Sequence, residues 1–80
     1  MASCKAEFMV EPFEVGNPGP HVVAAVDAVK SLGFEPSIGP FGTTIEGESN
    51  LVIAAVRKML DAATAAGASR VSVQIDTEHQ

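Results

Sequence analysis

Three observations predict an α+β fold, a four-stranded antiparallel sheet with both helices on one face. Two segments carry apolar residues at helical spacing. Four others are extended, and the clearest of them alternate apolar and polar residues. Their order along the chain is strand, helix, strand, strand, helix, strand. Right-handed crossovers applied twice to that order make the first and third strands central neighbours and leave the second and fourth at the edges.

The first strand is expected over Lys5 to Phe13, where Ala6, Phe8 and Val10 fall on one face and Lys5, Glu7, Met9 and Glu11 on the other. Val15-Gly16-Asn17-Pro18-Gly19-Pro20 reads as a connecting loop, and Pro20 suits the first turn of a helix, where its missing donor costs little. His21 to Leu32 is the first helix, with Val22, Val26 and Val29 on one stripe, Ala25 and Leu32 beside them, and Gly33 as the stop. Phe34 to Ile38 is extended but contains Pro36, which cannot donate to a neighbour and so predicts an edge strand. Gly39-Pro40 turns the chain into a third strand, Phe41 to Glu46, and Glu48-Ser49-Asn50 supplies capping chemistry for the second helix. That helix runs from Leu51 to Ala66, with Val52, Val56, Met59 and Ala63 on one stripe, Leu51, Ala55 and Leu60 flanking, and Gly67 at its end. The last strand is Arg70 to Asp76, with Val71, Val73 and Ile75 on one face and Ser72, Gln74 and Asp76 on the other. The whole is a ferredoxin-like βαββαβ sandwich, read as a single domain over residues 1–80.

Composition narrows what such a domain does. Apolar residues make up 46% of the chain, yet there are four Phe and no Trp or Tyr, so the core is built from Val, Ile, Leu and Ala. A formal net charge of −5 without any basic block excludes nucleic acid and anionic membranes as expected partners, since both need clustered Lys and Arg. One cysteine, Cys4, permits neither an internal disulfide nor a Cys-x-x-Cys site, and it reads as a small filler of the first strand. The N-terminal residues, with Glu7 and Glu11, contain no apolar run of signal or membrane length, which predicts a cytoplasmic protein. A chain of this size is marginal alone, and the second sheet face mixes Met9 and Phe13 with Glu7, Glu11, Thr44, Glu46, Ser72, Gln74 and Asp76. That mixture predicts self-association through the sheet rather than a fully solvated face.

Most chemistry carried by this fold lacks its residues here. The first loop holds no paired cysteines for a metal and no Arg or Lys for a phosphoryl group. The central strands carry Glu7, Glu11 and Glu46, which repel a phosphate backbone. His21 and His79 are expected as solvated surface histidines, and no nucleophile–base arrangement is legible. No enzymatic activity, metal or cofactor is therefore expected, and the three glutamates read as acceptors for an amine or cation.

The densest gathering of small, polar and aromatic groups is the run Gly39-Pro40-Phe41-Gly42-Thr43-Thr44-Ile45-Glu46-Gly47-Glu48. It resembles the Gly-Pro-Met-Gly-Thr-apolar-Ile-Glu-Gly pattern of the small thiamine-binding protein family. Phe8-Met9-Val10-Glu11-Pro12 is similar to that family's first strand, Val22 to Leu32 to its Ala- and Val-rich first helix, and Ala66-Gly67-Ala68-Ser69-Arg70-Val71 to the opening of its last strand, which Ile75-Asp76 closes. Thr44 stands where the family usually has an apolar residue. Members also commonly continue past the last strand with an Arg-rich segment and a further helix, where this sequence reads Asp76-Thr77-Glu78-His79-Gln80.

The resemblance implies a non-enzymatic binder of thiamine or its hydroxymethylpyrimidine half, assembled as a homodimer or homotetramer. An aminopyrimidine offers an amino donor and ring-nitrogen acceptors on a flat ring, and thiamine adds a cationic thiazolium. On that reading Ser37, Thr43, Thr44 and Glu46 supply polar groups, and Met9, Phe41 and Phe8 supply walls. The alternative is a structural or regulatory module whose open sheet face binds another protein.

Overall fold

The computed structural model describes residues 2–12, 19–39 and 42–78. Its elements are β1 (Ser3–Glu11), α1 (Pro20–Lys30), β2 (Ser37–Ile38), β3 (Thr43–Glu48), α2 (Ser49–Ala65) and β4 (Arg70–Glu78). The strands form one sheet in the order β2-β3-β1-β4, with every neighbouring pair antiparallel. This is the expected α+β, ferredoxin-like arrangement.

Alternation in β1 puts Cys4, Ala6, Phe8 and Val10 under the helices, where all four are buried. They meet Ile45 of β3, Ala25 and Val29 of α1, and Val52, Ala55, Val56, Met59 and Ala63 of α2. Phe34, Val22, Ala68 and Val71 close the margins of this cluster. The stripe read for α2 is therefore its buried face. Leu51 lies one residue, about 100° of helix, from Val52 and is exposed. Leu32 is also exposed, because α1 ends at Lys30 and Leu32 lies in the turn that follows. Gly33 and Gly67, both at positive φ, end the two helical turns as expected. Ser31 links the helices, since its hydroxyl donates to the Ala28 carbonyl and accepts from Lys58 Nζ at 2.8 Å.

Some boundaries differ from expectation. The second strand shrinks to two residues, because Pro36 removes a donor and Phe34 turns into the core instead of continuing the strand. β4 runs on to Glu78, since β1 offers Ser3 as a partner at that end. Glu48 caps α2 with its own carboxylate, accepting from the main-chain N–H groups of Asn50 and Leu51 at 3.2 Å each. The expected contributions of Phe13, Phe41 and His79 lie outside the described residues.

His21 corrects the sequence reading. It is buried, not solvated. Its ring folds back over Gly19, and Nε2 donates to the Pro12 carbonyl. A carbonyl only accepts, so the proton sits on Nε2. This bond satisfies the polar edge of the ring and ties the end of β1 to the start of α1, which is why the histidine tolerates burial. Among the described residues no helix is long and apolar enough to cross a membrane.

Candidate functional site

The strand register decides which side chains meet on the sheet face that the helices leave bare. One row crosses all four strands, with Ser37 of β2 opposite Thr44 of β3, Thr44 opposite Glu7 of β1, and Glu7 opposite Gln74 of β4. The next row sets Lys5 between Glu46 and Asp76. On the other side of the first row, Met9 faces Ser72. Side chains at directly opposed positions on one face stand about 5 Å apart, so these residues are neighbours.

Two hollows adjoin on this face. The larger, ≈550 Å³, is lined by Lys5, Glu35, Ser37, Thr44 and Glu46. The smaller, ≈330 Å³, is lined by Glu7, Met9, Gly42, Ser72 and Gln74, with Phe8 and Val73 on its wall. Thr44, which lines the larger, lies directly opposite Glu7, which lines the smaller. Gly42 keeps the second hollow open, since a Cβ there would lie 3.2 Å from the Phe8 carbonyl oxygen and 3.5 Å from Glu7 Cγ. The hairpin that delivers Thr44 and Glu46 is closed by a bond from Gly39 N–H to the Gly42 carbonyl, 2.8 Å.

The sequence-derived candidates divide between the two faces. Ser37, Thr44 and Glu46 come together in one hollow, and Met9 stands in the other. Thr43 points the opposite way, buried on the helix side opposite Phe8. Alternation forces this, because consecutive strand residues cannot share a face. For the same reason Phe8 is buried in the core on the helix side, although it also borders the smaller hollow. Phe41 lies outside the described residues. Arg70 approaches Glu11, Nε to Oε2, at 4.0 Å. That pair is exposed and contributes little.

Sequence reasoning missed Glu35 and the central place of Lys5. Glu35 stands two residues before Ser37, so extended alternation through Pro36 was the signal that put both on one side. The face is acidic, with Glu7, Glu11, Glu35, Glu46 and Asp76 against Lys5 and Arg70. Hydroxyls, carboxylates and an amide around an apolar Met9 suit a flat, amino-bearing, cationic ring. Among the described residues no His, Cys, Asp or Glu cluster is placed to hold a metal ion.

The family model described as thiamine-binding protein matches residues 6–80. No curated protein matches the chain in sequence. Among solved structures, a domain of unknown function from Bacillus cereus is similar at 25% identity and a TM-score of 0.71, over 98% of this chain and 76% of that one. A hypothetical protein from Methanocaldococcus jannascii shares the fold at 17% identity and a TM-score of 0.72, over 100% and 82% of the two chains. So does a Thermotoga maritima protein described as a candidate for thiamine biosynthesis or salvage, at 23% identity and a TM-score of 0.69, over 98% and 84%.

Proposed function

Since the chain belongs to the thiamine-binding protein family, we propose that it is a non-enzymatic binder of thiamine or of a thiamine-related hydroxymethylpyrimidine. The ligand lies on the helix-free face of the sheet. The observation that carries this reading is the row Ser37, Thr44, Glu7 and Gln74, which aligns two hydroxyls, a carboxylate and an amide between two adjoining hollows. Glu46 and Glu35 favour a cation in the larger hollow, and Met9 offers a soft apolar contact for a ring in the smaller one. Three or four hydrogen bonds at about 0.5–1.5 kcal/mol each, together with ring burial, support affinity on the order of micromolar. The protein self-associates as a homodimer or homotetramer, which shields an otherwise half-polar sheet.

Isothermal titration with thiamine and with hydroxymethylpyrimidine tests the ligand. Saturable binding is expected, weakened roughly ten-fold or more by Glu46→Gln, because hydrogen bonds to a charged group contribute about 1.5–3 kcal/mol. Thr44→Val weakens it by a smaller factor. No heat from either compound at millimolar concentration overturns the reading.

A further inference from the structure

We infer that the site takes its ligand as the free alcohol and rejects the phosphate ester, and that Glu35 and Asp76 set this choice. The inference rests on the function proposed above and deepens it by naming the charge state of the ligand.

Thiamine and hydroxymethylpyrimidine each carry an alcohol that a phosphoryl group can esterify. The ester adds a charge of about −1.5 to −2 at pH 7. A seat for it needs a cation or a set of free N–H groups. The chain has five Lys and Arg residues in all. Lys30 belongs to α1, and Arg57 and Lys58 belong to α2, in the helix layer. That leaves Lys5 and Arg70 for the sheet, and carboxylates stand beside both. Arg70 Nε lies 4.0 Å from Glu11 Oε2. Lys5 is directly opposite Glu46 on one side and Asp76 on the other. The N-terminus of α2 follows β3 and would otherwise seat an anion. The Glu48 carboxylate fills it, accepting from the N–H groups of Asn50 and Leu51.

The larger hollow shows the consequence. Its lining sets Glu35 and Glu46 against Lys5, with Ser37 and Thr44 neutral. Two carboxylates against one ammonium leave the hollow negative, so it attracts a thiazolium and repels a phosphate. Glu35 decides the sign, because without it the lining is neutral. Asp76 acts from outside the lining, where it offsets the charge that Lys5 presents. In water, one pair of unit charges about 5–6 Å apart changes affinity roughly three- to four-fold. A phosphate with two charges, facing one net negative charge, therefore binds about ten-fold more weakly than the alcohol.

Isothermal titration of the full chain with thiamine, hydroxymethylpyrimidine and the monophosphate of each tests the choice. An alcohol that binds is expected to bind about ten-fold or more tightly than its own monophosphate at low salt. That ratio should shrink in about 0.5 M salt, where exposed charges are screened. Glu35→Lys reverses the charge of the hollow and should bring the ratio to one or below, with tighter binding of the monophosphate. Asp76→Asn should lower the ratio about three-fold. Both residues are exposed, and circular dichroism checks that the variants stay folded. An alcohol and monophosphate that bind equally well, or a ratio unmoved by Glu35→Lys, overturn the inference and leave the proposed function standing. No heat from either alcohol at millimolar concentration overturns both.

Discussion

Gly19→Ala tests how tightly the first crossover is built. Gly19 has φ −76° and ψ 173°, an extended conformation open to any residue. Reducing the freedom of the unfolded chain would stabilise by about 0.4–1 kcal/mol. Alanine is a poorer N-cap than glycine, and that offsets the gain by a similar amount. Backbone considerations alone thus predict a change near zero. Packing decides otherwise. A Cβ on Gly19 would lie 2.6 Å from His21 Cε1, closer than real Cβ contacts come, and a tight 3.0 Å from Nδ1. The ring is buried and held through Nε2 to the Pro12 carbonyl, so it cannot swing away without breaking that bond. Overpacking costs about 1–3 kcal/mol, and a buried donor left unpaired costs about as much again. The expected loss is about 2 kcal/mol, which lowers Tm by roughly 8–16 °C in a domain of this size. Urea and thermal unfolding followed by circular dichroism measure it. In a His21→Ala background the clash disappears, and Gly19→Ala should become nearly neutral, giving a large coupling in the double-mutant cycle. Gly19→Ala as stable as the native chain, or equally harmful without His21, refutes the reasoning.

Two further outcomes follow from the same geometry. Glu48→Ala removes the carboxylate that caps α2 at the N–H groups of Asn50 and Leu51 and should cost about 1 kcal/mol in urea unfolding. Glu48→Gln, which keeps an acceptor oxygen, should recover part of it. Thr43→Val, on the helix side of β3, should leave thiamine affinity within about two-fold of native, since effects at separated sites are independent to a few tenths of a kcal/mol. An affinity loss from Thr43→Val as large as that from Glu46→Gln would put the ligand on the wrong side of the sheet.

Much of the fold is legible in the sequence because period and polarity carry it. Ala6, Phe8 and Val10 alternate against Lys5, Glu7 and Met9, and the side each occupies follows from two-residue periodicity alone. The stripe Val52, Val56, Met59 and Ala63 likewise fixes the buried face of α2. His21 was not legible in this way. A histidine at a helix start is normally solvated, and only the return of Pro12 past the ring supplies its acceptor. The short β2 was half legible, since Pro36 announced an edge but not the turn of Phe34 into the core. The candidate site shows the same division. The run from Gly39 to Glu48 was visible as a concentration of small and polar residues. Treating Thr43, Thr44 and Glu46 as one group ignored the alternation that parts Thr43 from the other two.

The sequence by itself determined the element order, the buried stripes, the acidic balance and the family resemblance, because these depend on local periodicity and residue identity. Tertiary structure decided which residues meet. Glu7, from β1, joins Ser37, Thr44 and Gln74, from three other segments of the chain, only through strand register. A slip of one residue would send every one of those side chains to the opposite face. Register is set by the summed packing of two helices against the sheet, a global quantity to which no single segment holds the key.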